Sequence, residues 1–322
     1  MSIPIVPFEG RMSYCLTKCL KMVLDFRGDH YDLPFLECAS TEPFGFVYVR
    51  RSTGGLAING YEYDRAGERL LELLGYEFEV VSSGSRGQAL LALRKSLQEG
   101  PVVLGMLDMG FLTYQPDHRY KMGTDHAIVA LGLEGDAVVA HDPAGYVNVR
   151  FPLEDLLKAW KAEKIYTQRP NALWRIGPKR RNLKREELFR KVLELGLQNL
   201  QRPGQRIGSH MKVLFGGDAL RTLAVDVRAG RAMRWIKRYA YFSLRVSGQR
   251  CFDSAAFIRS APFQNKHLST AADVRFKQTE HYGKAQWAAA SKKHALLAEA
   301  FREIAELEDA FTESLRLGLS CE

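Results

Sequence analysis

Cys15, His126 and Asp142 have the types and settings that nucleophilic catalysis needs. A thiol attacks, a base within hydrogen-bond reach manages its proton, and a third group orients the base. Cys15 lies in the stretch SYCLTKCLKMVLDFRG, which begins at Ser13. Cys15, Cys19, Met22, Val23 and Phe26 share one helical face, and Leu16, Leu20 and Leu24 widen it into a mostly buried helix. Ser13 is the expected N-cap and Gly28 the expected stop, which puts Cys15 at about position N2. Unpaired N–H groups and the helix dipole there favour an anion. Cys19 lies a turn deeper, outside that field, and is expected in the core. His126 opens the apolar run DHAIVALGL, and Asp142 ends AVVAHD. With Glu134-Gly135-Asp136 at the turn, these two runs form a hairpin. Its outer ends lie side by side, so His126 and Asp142 can meet there.

The elements that must position these residues occupy the first half of the chain. VYVRR, YEFEVV, PVVLGML, HAIVALGL, AVVAHD and VNVRF read as strands punctuated by Gly, Asp and Pro. Helices are expected at 14–27, 64–74, 86–98 and 153–162. The basic stretch GPKRRNLKRE reads as a linker, and helical periodicity dominates from Glu186 to Leu317, with one long amphipathic helix from about Tyr282. The expected organisation is α+β: a catalytic domain over 1–177, then an all-α accessory domain over 178–322. The 322 residues suffice for two domains, and 46% hydrophobic with 26% charged content is ordinary for a soluble protein. No secretory pattern and no apolar run of membrane-spanning length is present. Five cysteines argue against a disulfide scaffold and for a reducing cytoplasm. The net charge of +9 points to an acidic partner.

Four pieces in order carry a family resemblance: SYCLTKCLKMVL, GPVVLGMLDMGFLTY, the His126 strand and VVAHDPAG. In the second, an apolar run leads to Asp108, a hydrophobic spacer and Tyr114, shortly before His126. The first 175 or so residues resemble the papain-like C39 group, and more closely the N-terminal domain of the butirosin biosynthesis protein H family. The resemblance implies a papain-like fold and an acyltransferase rather than a protease. Such an enzyme takes an acyl group from a carrier-protein thioester and passes it through its cysteine to an amine. It implies Cys15 as acyl acceptor, His126 as base and Asp142 as orienter, with no bound cofactor or metal, the substrate arriving on a phosphopantetheine arm. One departure stands out. Where papain-like enzymes usually carry an oxyanion-donating Gln, this chain has Glu9, and an ionised Glu cannot donate.

Plainer roles remain open. Cys15 can fill core space and His126 can be a satisfied core histidine. Asp108 either binds an amine or holds a turn, and Tyr114 is placed beside substrate. His118 and Asp125 are expected to be solvated, with contact to substrate a second role open to Asp125, and His141-Asp142 ends a strand rather than sitting on the helices a metal-binding HD pair needs. Cys38, Cys251 and Cys321 have no companions. Arg231, Arg234 and Arg238 share a helical face interleaved with Trp235 and Tyr239. That stripe suits an acidic carrier protein, and no recognised nucleic-acid fold accompanies it. Two rival functions compete with the acyltransferase: a C39-like peptidase or amidase, and a non-catalytic binding protein on a degenerate protease fold.

Overall fold

A computed structural model describes residues 14–51, 54–60, 65–165, 169–207, 211–231, 236 and 239–320. Its helices and strands follow in chain order as α1 (Cys15–Phe26), α2 (Leu33–Ala39), β1 (Phe46–Arg51), β2 (Gly54–Asn59), α3 (Ala66–Leu74), β3 (Tyr76–Val81), α4 (Arg86–Ser96) and β4 (Val102–Asp108). Next come β5 (Asp125–Glu134), β6 (Ala137–Asp142), β7 (Tyr146–Pro152), α5 (Leu153–Trp160), β8 (Leu173–Lys179), α6 (Arg185–Leu200), β9 (Gln205–Ile207), β10 (Met211–Phe215) and α7 (Gly216–Arg228). The described chain closes with α8 (Ser243–Arg259), α9 (Lys266–Ala290) and α10 (His294–Ser320).

Two compact units result, one from 1–36 with 74–182 and the other from 37–73 with 183–322. The first is built on a six-stranded antiparallel sheet in the order β3-β8-β4-β5-β6-β7. The interior strands β4, β5 and β6 are almost wholly buried and read as near-continuous apolar runs. Helix α1 lies against β4 and β5, and α5 against β4, β6 and β7. Leu104, Leu107, Ile128, Ala140, Leu156 and Trp160 are among the side chains of the core under this sheet.

The second unit corrects the expected division at 177/178 and the expected all-α character of the C-terminal half. It contains a four-stranded antiparallel sheet, β2-β1-β10-β9, beside its helices. The run VYVRR is indeed a strand, paired on one side with β2 and on the other with β10, with Val47 opposite Phe215 and Val49 opposite Val213. Alternating hydropathy marks a strand without saying which strand it pairs with, so VYVRR falls inside the expected 1–177 domain although β10 lies beyond it. The start of the expected linker is also a strand, since β8 runs through Gly177 and Pro178 with Lys179 opposite Tyr76. The long C-terminal helix is two helices, broken where Lys292 takes φ 58°.

Buried ion pairs tie the second unit together. Arg250 meets Glu37 at 2.7 Å and Glu42 at 3.4 Å, and Arg275 meets Glu308 at 2.6 Å. Gly60 sits against the first group with φ +148°, and a Cβ there would come within 2.5 Å of Glu42 Oε2 and 2.7 Å of the Arg250 guanidinium. Gly60→Ala is therefore expected to strain the backbone and displace a buried ion pair, at a cost of about 2–4 kcal/mol. Urea unfolding of the variant checks this, and an unchanged midpoint would contradict it.

Candidate active site

The site is assembled within the first unit from the start of α1, the β4–β5 connection and the β5–β6 hairpin. Helix α1 begins one residue later than the sequence suggests. Tyr14, not Ser13, is its N-cap, in a left-handed conformation (φ 59°, ψ 47°), and Cys15 is the first helical residue. Cys15 thus stays at the helix mouth, partly exposed, where the first N–H groups have no intrahelical acceptor. Cys19 is fully buried, and burial pushes its thiol well above the ordinary range, with the charges of Cys15 and Asp142 adding to the effect. Ser13 and Glu9 lie outside the described residues.

His126 is the second residue of β5 and Asp142 the last of β6. The hairpin pairs Val129 with His141, and continuing that register sets Asp142 opposite Ile128, a diagonal step from His126. The side chains meet: His126 Nε2 lies 2.6 Å from Asp142 Oδ1. His126 also makes a hydrogen bond with the Cys15 side chain. With Nε2 committed to Asp142, Nδ1 is the ring nitrogen left for the sulfur. Burial alone would lower the imidazole pKa. The Asp142 charge, the hydrogen bonds to Asp142 and Cys15, and the Cys15 charge outweigh it and raise the value to about 10. These contacts favour the charged form of the ring.

Asp142 has no solvent exposure, and four protein groups hydrogen-bond its carboxylate. Oδ1 also accepts from the Ala144 N–H at 2.7 Å. Oδ2 accepts from the Tyr114 hydroxyl at 2.7 Å and from Gln115 Nε2 at 2.8 Å. Burial would raise this carboxyl's pKa, but the His126 charge and the bonds from His126, Ala144 and Tyr114 prevail and hold it below the usual carboxylate range.

The two residues expected to contact substrate, Tyr114 and Asp108, both have hydrogen-bond partners within the fold. The Tyr114 hydroxyl donates to Asp142, and its ring packs on Tyr146 and Phe151 at 5.4 and 4.8 Å. Asp108 holds a turn through one of its two carboxylate oxygens. It is buried, and Oδ1 accepts from the N–H groups of Gly110 and Gly123, both at 2.9 Å. His118 is not simply solvated, because Nδ1 sits 2.6 Å from the Gly110 carbonyl oxygen in the same connection. His141 accepts from the Asn148 N–H at 3.1 Å across the β6–β7 turn. Among the described residues no group of three or more His, Cys, Asp or Glu is placed to hold a metal. Sequence reasoning missed Gln115. The one signal available was a polar side chain directly after Tyr114, where the apolar run stops.

In the second unit Arg231 is tied down. Its Nε donates to Asp226 Oδ1 at 2.9 Å, while Arg50 donates to both oxygens of that carboxylate and Tyr48 to Oδ2. Its charge is therefore partly compensated rather than free for a stripe, and Arg234 and Arg238 lie outside the described residues.

The fold and site define an α+β chain with a Cys, His and Asp gathered at a helix mouth and a hairpin end. Residues 15–143 match the family model described as Butirosin biosynthesis protein H, N-terminal, so the family resemblance carried by the sequence motifs is present in the chain. Residues 210–316 match the YobF C-terminal domain. The uncharacterized protein YobF of Bacillus subtilis (strain 168) is 25% identical over 315 residues, 97% of this chain and 99% of that one. The likeness to YobF thus runs through both units. No described helix is long and apolar enough to cross a membrane.

Proposed function

We propose that the chain is a cysteine-dependent acyltransferase with a papain-like catalytic unit, acting in specialised-metabolite biosynthesis. The observation that carries this is the contact sequence Cys15–His126–Asp142, in a stretch that matches the butirosin biosynthesis protein H N-terminal model. The Cys15 thiolate attacks the carbonyl carbon of an acyl thioester, forming a C–S bond and a tetrahedral oxyanion. Collapse breaks the old C–S bond, and the departing thiolate takes the His126 proton. An amine then attacks the acyl-enzyme. His126 receives the amine proton, an amide leaves, and the thiolate–imidazolium pair is restored. Splitting one acyl transfer into two lowers each barrier, and a thioester is already activated, so no nucleotide has to be spent. Asp142 keeps the imidazolium oriented throughout.

A carrier protein is the acyl donor in this account, with a phosphopantetheine thioester as its reacting group. The net charge of +9 favours approach of an acidic carrier over roughly a Debye length, about 8 Å at physiological salt. Raising salt from low to physiological strength is therefore expected to slow the carrier-borne reaction about tenfold or more while barely changing turnover of an acyl-pantetheine. Equal salt sensitivity for the two substrates would remove carrier steering from the account. The function itself is tested by supplying an acyl-pantetheine with a panel of primary amines and analysing products by mass spectrometry. Amide is the expected product. Free acid alone would favour a hydrolase.

A further inference from the structure

The connection between β4 and β5 carries an arrangement that the triad alone does not account for. Gln115 is fully buried, and both ends of its amide are engaged by charged groups. Nε2 donates to Asp142 Oδ2 at 2.8 Å, and Oε1 accepts from Lys121 Nζ at 2.9 Å. Lys121 also pairs with Asp117 at 2.8 Å, and its side chain is 20% exposed. The ammonium can bond only to the amide oxygen, so it fixes which end of the amide meets the carboxylate. A flipped amide would set oxygen against oxygen. Tyr114, the preceding residue, fills the other position on Asp142 Oδ2.

We infer that Gln115, oriented by Lys121, is a positioning residue that keeps Asp142 ionised and aimed at His126, and so sets the lower pH limit of Cys15 reactivity. This rests on the reading of Cys15 as the reactive thiol. Four donors reach the buried carboxylate: Tyr114 and Gln115 from the connection, His126 from β5 and the Ala144 N–H from the turn after β6; the protonated Cys19 thiol of α1 also faces it, and Cys15 faces it through His126. Hydrogen bonds to a buried carboxylate favour its charged form, so losing one donor lets Asp142 take a proton at higher pH. A protonated Asp142 no longer holds the imidazolium, and the thiolate loses its counterion. The sign is therefore fixed: removing the Gln115 donor moves the acid limb of reactivity upward.

The test is the rate of Cys15 alkylation by iodoacetamide against pH, followed by peptide mass spectrometry on the full chain. It needs no acyl substrate, so it stands apart from the transfer reaction. Gln115→Leu is expected to shift the acid limb up by about one to two pH units. Lys121→Met, at a position that reaches solvent, is expected to shift it the same way by less, and Lys121→Arg to restore it. A purely structural role would lower the unfolding temperature and leave the limb in place. An unmoved limb in both Gln115→Leu and Lys121→Met overturns the inference alone. A wild-type profile showing only the titration of an isolated thiol overturns it together with the proposed function.

Discussion

Cys15→Ala is expected to abolish acyl transfer and leave the fold intact. The side chain is partly exposed at the first position of α1, and its sulfur is the one that hydrogen-bonds His126, so truncation removes the atom that accepts the acyl group. The loss should be on the order of 10⁶-fold in kcat, as expected when the nucleophile of a mutually dependent set is removed. Cys19→Ala should do the reverse. That thiol is fully buried and held protonated, so its loss leaves a small void and costs about 1–2 kcal/mol of stability with little change in turnover. Kinetics and chemical denaturation of the two variants side by side separate the roles. Reversed phenotypes would make Cys19 the nucleophile.

His126→Ala should approach the severity of Cys15→Ala, because one ring both donates to the leaving thiolate and receives the amine proton. Asp142→Asn should be milder, roughly 10²–10⁴-fold, since Asp142 acts through His126 rather than on the acyl group. The same pair predicts a stability signature. Asp142 has its pKa lowered by folding, so its contribution is present above the ordinary carboxylate value of about 3.9 and is lost as pH falls through the folded value. His126 has its pKa raised to about 10 by folding. Its contribution is full below the unfolded imidazole value of about 6.5 and fades as pH climbs from there towards the folded value. The difference in Tm between wild type and Asp142→Asn should therefore be widest between about pH 4 and 6.5 and narrow steadily up to pH 10. A difference that stays constant over this range would mean that the pair is not ionised in the folded protein.

Much of the site was legible because it is local. The β5–β6 hairpin is two apolar runs joined by Glu134-Gly135-Asp136, and a hairpin's geometry alone brings its outer ends together. Helix α1 was legible from its periodicity. Its start was not, because the left-handed turn at Tyr14 is a backbone choice that the Ser13 capping preference does not encode. Segment 46–59 looked like part of the first domain, because strand patterning is indifferent to whether the hydrogen-bonding partner is ten residues away or, as with Val47 and Phe215, far along the chain. The support behind Asp142 was hidden for a related reason. Tyr114 and Gln115 belong to an irregular connection, and only the folded sheet shows that both point at the same carboxylate oxygen. The sequence marks Tyr114 as a site residue without showing what its hydroxyl meets. Its actual partner lies 28 residues further on.

The central claim is that the acyl group passes through Cys15. Intact-protein mass spectrometry after brief incubation with an acyl-loaded carrier protein tests it most directly. The account predicts a mass increase equal to one acyl group, located to the peptide containing Cys15, absent from Cys15→Ala and discharged when an amine is added. Amide formed without any such adduct, or an adduct that persists in Cys15→Ala, would contradict it.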